Sequence, residues 1–285
     1  MAAEAEKAEY VRSKNVHHFF ELLASRVLAK RPENLIQFLR EQLDDIEKVE
    51  KGAHAHDPSA IRFDGSEGKG KGNEKAKTKK ITVGVFGLDN AGKTAMLAAM
   101  AGEPDPSTKP TVGFTPTFFS LEAFDVCVFD LGGGKNFRGV WPHYYHDCHG
   151  FIYVVDGASD DAMLATSAEV FRETFSHEYT KNKPVVLAVN KKDLPGCRNP
   201  EDVAKHFQAN SIVSKLKLSH TCAINDEGSP EIDEGVDWLL TTVDAGFDEL
   251  DSLVKAHSAE VQAAKKRALQ EQAERVAAAK AAEAA

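Results

Sequence analysis

Two spacings of apolar residues alternate along this chain. From about Asn15, Val16, Phe20, Leu23 and Val27 fall on one helical face, widened by Phe19 and Leu22. Lys30-Arg31 suit the end of that helix and Pro32 the first turn of the next. The second helix carries Leu35, Ile36, Leu39, Leu43 and Ile46, with Phe38 beside them. After residue 80 the period shortens. Continuous apolar runs at Ile81–Phe86, Phe118–Ala123, Val126–Leu131, Phe151–Asp156, Val185–Asn190 and Leu216–Cys222 read as buried strands. Helix-like stretches Lys93–Ala101, Asp161–Thr180, Glu201–Ala209 and Glu231–Thr242 lie between most of them. Such alternation predicts an α/β sandwich around a largely parallel sheet. The second and third runs follow each other directly, which predicts one hairpin and one antiparallel edge strand.

The connecting segments have their own character. Residues 1–12 are short, charged and rich in Ala and Glu, and read as a flexible tail. A helical pair spanning residues 13–50 is too small to bury both apolar faces alone, so self-association into a four-helix bundle is expected. In residues 51–79, Gly65, Gly68, Gly70 and Gly72 alternate with lysines, the composition of a flexible, self-repelling tether. A polar helix covers 246–285, in which Phe247, Leu250, Val254 and Val261 keep a heptad-like spacing. That spacing suits either a weak coiled coil or a solitary helical tail.

Composition narrows the picture. The 285 residues hold 42% hydrophobic side chains, enough for a medium core, and no run approaches the ~20 apolar residues of a membrane span. A formal net charge of −9 argues against general nucleic-acid binding. The acidic N-terminus has no apolar signal segment. Cys127, Cys148, Cys197 and Cys222 form no close pair and read as reduced thiols of a cytoplasmic protein.

The chemistry begins at the end of the first strand. Gly87-Leu88-Asp89-Asn90-Ala91-Gly92-Lys93-Thr94 is G-x4-G-K-[ST] in its strand–loop–helix context. Its glycines let backbone N–H groups turn inward as an anion nest, and the following helix adds its positive end. Lys93 is placed to reach the β- and γ-phosphates and the Thr94 hydroxyl to ligate Mg²⁺. Such a loop alone does not separate a GTP switch from an ATPase or a small kinase. Asn190-Lys191-Lys192-Asp193, directly after the fifth strand, separates them. Asp193 can accept from guanine N1–H and the 2-amino group, a pairing adenine cannot make. Asn190 braces that site, the Lys191 stem covers the base, and the Ala223 amide in Thr221-Cys222-Ala223 is offered to guanine O6.

These motifs resemble the ADP-ribosylation-factor-like small GTPases. Pro110-Thr111-Val112-Gly113-Phe114, Asp130-Leu131-Gly132-Gly133 and Glu234-Gly235-Val236-Asp237-Trp238-Leu239 extend the resemblance over residues 80–245. It implies a P-loop small GTPase fold, a six-stranded mostly parallel sheet with helices on both faces, flanked by the N-terminal hairpin and C-terminal helix. It also implies GTP and GDP as ligands with Mg²⁺. By that resemblance Asp89, Asn90, Ala91, Gly92, Lys93, Thr94 and Ala95 line the phosphates, while Asn190, Lys191, Asp193, Cys222 and Ala223 surround the base. Thr111 closes the first switch on metal and γ-phosphate, Asp130 holds the metal through water, and the Gly133 amide binds the γ-phosphate. Effectors then dock on the switches. Asp130 to Lys135 with Arg138-Gly139-Val140-Trp141 and Tyr144-Tyr145 is similar to the ciliary branch of that family. This implies a place in cilia or flagella and nucleotide exchange on another ARF-like GTPase.

Departures from the pattern are as informative. Gly134 stands where the family carries the glutamine that orients the attacking water, so slow hydrolysis with intact binding is expected. Ala95 replaces a threonine, a milder change. Ala2 excludes N-myristoylation, and no N-terminal cysteine offers palmitoylation, so no direct lipid anchor is expected. Arg31-Pro32-Glu33-Asn34 through Leu39 resembles the dimerisation/docking hairpin of protein kinase A regulatory subunits, though Leu35 replaces a proline. That resemblance implies a homodimer receiving an amphipathic anchoring helix. His143, His146 and His149 have a metal-compatible spacing but read as core or exposed histidines.

Overall fold

The computed structural model describes residues 34, 36–40, 79–108, 111, 113–121, 123–225 and 229–283. Most of the expected hairpin at 13–50 and all of the tether before Lys79 lie outside these residues. Within the hairpin, residues 36–40 are helical, and the Asn34 side chain accepts the Gln37 amide at 3.0 Å. Asn34 therefore caps that helix, two positions beyond the proline assigned to its first turn.

The main body is one sheet of six strands in the order β2-β3-β1-β4-β5-β6. β1 (Lys79–Phe86), β3 (Phe124–Leu131), β4 (Gly150–Asp156), β5 (Val185–Asn190) and β6 (Leu216–His220) run parallel. β2 (Phe114–Ser120) pairs antiparallel with β3 at the edge, as the adjacent runs required. It begins four residues before the expected Phe118. Pro116 obscures it in the sequence, yet an edge strand tolerates a residue that cannot donate on its open side. Helices α1 (Lys93–Met100), α2 (Pro142–Tyr145), α3 (Asp161–Ser176), α4 (Pro200–Phe207), α5 (Ala209–Ile212), α6 (Pro230–Ala245) and α7 (Phe247–Glu283) join the sheet among the described residues from Lys79 onward. The expected helix to Thr180 stops at Ser176, because His177 is extended and opens a 3₁₀ turn over Glu178–Thr180. The sixth strand stops at His220, which releases Thr221-Cys222-Ala223 to the loop above the sheet.

Alternation along the strands sorts side chains by face. In β4, Phe151, Tyr153 and Val155 join an aromatic core with Phe86, Trp141, Tyr145, Phe171 and Phe207. Ile152 and Val154 point the other way, into an aliphatic core with Val83, Val85, Met96, Leu239 and Val243. Gly84 makes the aromatic face possible, since a Cβ there would lie 2.5 Å from the Phe86 ring.

The heptad-like residues of α7 are used inside the domain. Leu250 and Phe247 pack into the aliphatic core, and Val254 is buried as well. Phe247 lies under the Lys79 ammonium and stacks on His149 with ring planes 3° apart. One turn beyond Val254, the Ser258 hydroxyl donates to Asp147 at 2.6 Å. The first turns of this helix are thus neither a coiled-coil seam nor a solitary tail.

Candidate nucleotide site

β1 delivers the chain to the C-terminal edge of the sheet at Gly87, where backbone of an L side chain's kind is excluded. Gly87 has φ 141°, and a Cβ would sit 2.2 Å from the Val154 carbonyl. Asn90 (φ 59°) and Gly92 (φ 94°) complete the curl with left-handed backbone. The first intrahelical bond of α1 runs from Met96 N to Gly92 O at 2.9 Å. The amides of Lys93, Thr94 and Ala95 therefore precede it and are available to an anion. Ala95 itself sends its methyl into the aliphatic core. Asp89 and Asn90 are exposed, and Ala91 is buried beneath the curl.

Lys93 is buried, and its ammonium crosses the loop to the Leu88 carbonyl at 2.8 Å. Burial pushes the Lys93 pKa down; Asp130 and Asp89 oppose that, and Arg138 adds to it. A buried ammonium held by one carbonyl is a strong donor to an incoming phosphate.

Three oxygens converge beside it. Thr94 Oγ1 donates to Asp130 Oδ2 at 2.7 Å, Thr111 Oγ1 donates to the same oxygen at 3.0 Å, and the two hydroxyls are 2.8 Å apart. The other carboxylate oxygen, Asp130 Oδ1, is buried with no hydrogen-bond partner among the described residues. Two hydroxyls and a carboxylate with an unsatisfied oxygen form a hard donor set that fits Mg²⁺ and its water. The residues expected to ligate the metal are therefore brought together, although Thr111 and Asp130 lie 19 positions apart.

Gly132 and Gly133 close the site from the second switch. Gly132 N donates to the Gly113 carbonyl at 2.9 Å, so the two switch segments touch. A Cβ at Gly133 would lie 2.4 Å from the Leu88 carbonyl carbon and 2.5 Å from Asp89 N, which puts this glycine against the phosphate loop. Gly134 is different. A Cβ there would meet only Phe137, at 3.4 Å. The position has room for a side chain and has none.

On the base side, Asn190 is 2% exposed and joins three loops. Its Nδ2 donates to the Ala91 carbonyl at 3.0 Å, while Oδ1 accepts from the Thr221 hydroxyl and the Ala223 amide, both at 3.1 Å. The Ala223 amide, offered to guanine O6 on sequence grounds, is thus taken by Asn190, whose buried oxygen needs donors. Asp193 is exposed, and one of its oxygens accepts from the Cys222 thiol at 3.1 Å. Lys191 has φ 69° and pairs with Asp156 at 2.7 Å; Lys192 pairs with Glu231. Asp156 and Glu231 were not singled out from the sequence, and Thr221 stood in the Thr221-Cys222-Ala223 motif without a role of its own. Asp156 was findable, because it ends β4 opposite Asn190 in the register.

The histidines of the 143–149 segment do not gather. His149 accepts from the Thr82 amide at 3.1 Å and faces Asp251 at 3.7 Å, whereas His146 lies against Asp147 at 3.5 Å. No group of three or more His, Cys, Asp or Glu side chains suited to a metal occurs among the described residues.

A model of the ADP-ribosylation factor family matches residues 71–243. The chain belongs to that family. Among curated family members it is 36% identical to ADP-ribosylation factor-like protein 13B of Chlamydomonas reinhardtii over 64% of this chain. That match spans 35% of the relative's own length. It is 34% identical to ADP-ribosylation factor 1 of Brassica rapa subsp. pekinensis, over 59% of this chain and 91% of the relative. The fold is similar to the Arl6 BBS3 small GTPase of Trypanosoma brucei, solved with the nucleotide analogue GppNp, at a TM-score of 0.52 and 26% identity. That superposition covers 59% of this chain and 99% of the other. A second family model, described as the N-terminal part of an inactive adenylate kinase, matches residues 2–45. Membership of the ADP-ribosylation factor family implies binding of GTP and GDP. No described helix is long and apolar enough to cross a membrane.

Proposed function

We propose that this chain is a GTP-binding switch of long lifetime, able to close on nucleotide but poorly equipped to hydrolyse it. The observation that carries the reading is the meeting of Thr94, Thr111 and Asp130 next to a Gly134 with no side chain. Thr94, Thr111 and Asp130 would hold Mg²⁺, which when bound neutralises charge shared by the β- and γ-phosphate oxygens. The α1 amides and Lys93 bind phosphate, Gly133 offers its amide to the γ-phosphate, and Asp193 selects guanine by accepting from N1–H and the 2-amino group. The GppNp bound to the Trypanosoma brucei relative supports this assignment. With no side chain at Gly134, nothing there orients water, and the closed form persists.

The same proposal assigns residues 13–50 to dimerisation and capture of an anchoring helix, 51–79 to a tether, 80–245 to the switch and 246–285 to the terminal helix. The switch then acts on a ciliary or flagellar scaffold, recruiting effectors and promoting nucleotide exchange on a second ARF-like GTPase. Deletion of residues 1–50 should release it from that scaffold; unchanged localisation would count against the docking role.

Single-turnover hydrolysis by the purified full chain tests the central reading. Gly134→Gln should accelerate it by roughly tenfold or more, with GDP affinity retained. Wild-type hydrolysis as fast as the variant's would defeat the slow-turnover reading. Preference for ATP over GTP would point to a small kinase. Purified protein that holds one nucleotide and never exchanges it would favour a scaffold locked in one state.

A further inference from the structure

Gly132-Gly133-Gly134 is the most permissive backbone available, yet a γ-phosphate sensor has to keep one amide aimed. The surrounding groups supply that constraint. Trp141 Nε1 donates to the Gly132 carbonyl at 3.0 Å, and Arg138 Nε donates to the Gly133 carbonyl at 3.1 Å. The Gly134 carbonyl accepts from Phe137 N at 2.8 Å, so each carbonyl of the run has a donor. In a trans peptide the N–H points opposite to the preceding carbonyl. Holding the Gly132 oxygen on Trp141 therefore sets the direction of the Gly133 N–H, and Gly133 is the residue whose added Cβ would meet Leu88 and Asp89 backbone.

We propose that Trp141, with Arg138, is the positioning residue that turns the triple-glycine loop into a sensor of the γ-phosphate. The proposal rests on the switch reading above. Trp141 is 1% exposed and packs on Phe86 at 5.1 Å between ring centroids, so its indole N–H is a fixed donor. Its polar link to the nucleotide site is the hydrogen bond to the Gly132 carbonyl, so loss of the donor acts through the Gly132 peptide while the ring keeps its packing on Phe86. It should therefore affect GTP and leave GDP nearly untouched.

The test is the affinity of the full chain, with Mg²⁺, for GDP and for a non-hydrolysable GTP analogue. Trp141→Phe keeps an aromatic ring against Phe86 and removes the donor. Loss of one buried hydrogen bond should weaken the analogue about tenfold while GDP changes by less than about twofold. Arg138→Ala, a change at a half-exposed site, should shift the ratio in the same direction by about threefold. A purely packing role for Trp141 would lower the melting temperature and leave the analogue-to-GDP ratio where it was. That unchanged ratio in Trp141→Phe overturns the inference, and so does an unchanged ratio in Arg138→Ala if the phenylalanine variant does not fold. Wild-type protein that binds neither nucleotide would instead overturn the switch reading itself.

Discussion

Asn190 and Ala91, 99 positions apart, are joined by a buried hydrogen bond of 3.0 Å that ties the base loop to the phosphate loop. The same side chain holds Thr221 and Ala223, so one amide group couples three segments of the site. Asn190→Ala should leave the Ala91 carbonyl and the Ala223 amide buried without partners, at a cost on the order of 3 kcal/mol. Nucleotide affinity should fall by about a hundredfold or more for GDP and GTP alike. Equilibrium binding of a fluorescent guanine nucleotide checks this, and selective loss of GTP alone would contradict the coupling role.

Neighbouring glycines of the second switch should respond oppositely to the same change. In Gly133→Ala the new methyl meets phosphate-loop backbone at 2.4–2.5 Å, atoms that cannot turn away. The switch must retreat, so the variant should bind the GTP analogue no better than GDP. Gly134→Ala places its methyl 3.4 Å from a Phe137 ring carbon and should be nearly silent. Titrating both variants with both nucleotides decides the matter; equal behaviour of the two would show that Gly133 does not approach the loop closely.

The central strands β1 and β5 were legible because their apolar runs are continuous and end in a motif, as Phe86 gives way to Gly87 and Val189-Asn190 to Lys191. Gly134 was legible too, since an absent side chain is visible in a motif. What was not legible depends on distance through space. Trp141 could be read as packing, but its bond to Gly132 depends on how the 3₁₀ turn at Arg138–Val140 brings the indole back. Likewise Leu250 and Val254 have the spacing of a coiled coil, and only the fold reveals that both are buried against the domain, with Leu250 in the aliphatic core. The strand start at Phe114 was hidden by a proline whose tolerance depends on being at the sheet edge.

Burial of Leu250 and Val254 makes the terminal helix part of the stability of the domain. Leu250 is buried, so Leu250→Ala should cost about 2–4 kcal/mol and lower the melting temperature by roughly 5–15 °C. Val261, further along and half-exposed, should tolerate alanine within about 0.5 kcal/mol. Thermal unfolding of the two variants separates a docked helix from a free one, and equal melting temperatures would rule out docking.

Lys183 gives the domain a measurable response to alkaline pH. It is 1% exposed, and its ammonium donates to the Tyr145 carbonyl at 3.0 Å, at the end of α2. Burial lowers its pKa to about 8 from the ordinary 10.5, against a smaller upward pull from Cys148 and Asp147. Below pH 8 the lysine is protonated in both folded and unfolded chains, and the folded state carries the full cost of the buried charge. Between pH 8 and 10.5 the folded protein gives up the proton while the unfolded chain keeps it. The unfolded state then binds more protons, so this group raises stability with pH through that window. Burial holds the Cys127 thiol up at about 12 and also raises Cys148 and Tyr145, so these groups pull the other way once their unfolded forms ionise. The useful quantity is therefore the difference between wild type and Lys183→Met, which removes the charge at similar length and leaves those groups in place. That difference should shift in favour of the wild type by on the order of 3 kcal/mol from about pH 8 to 10.5. Urea midpoints for both proteins across that range provide the measurement, and a difference that stays flat with pH would mean that Lys183 keeps its proton in the folded domain.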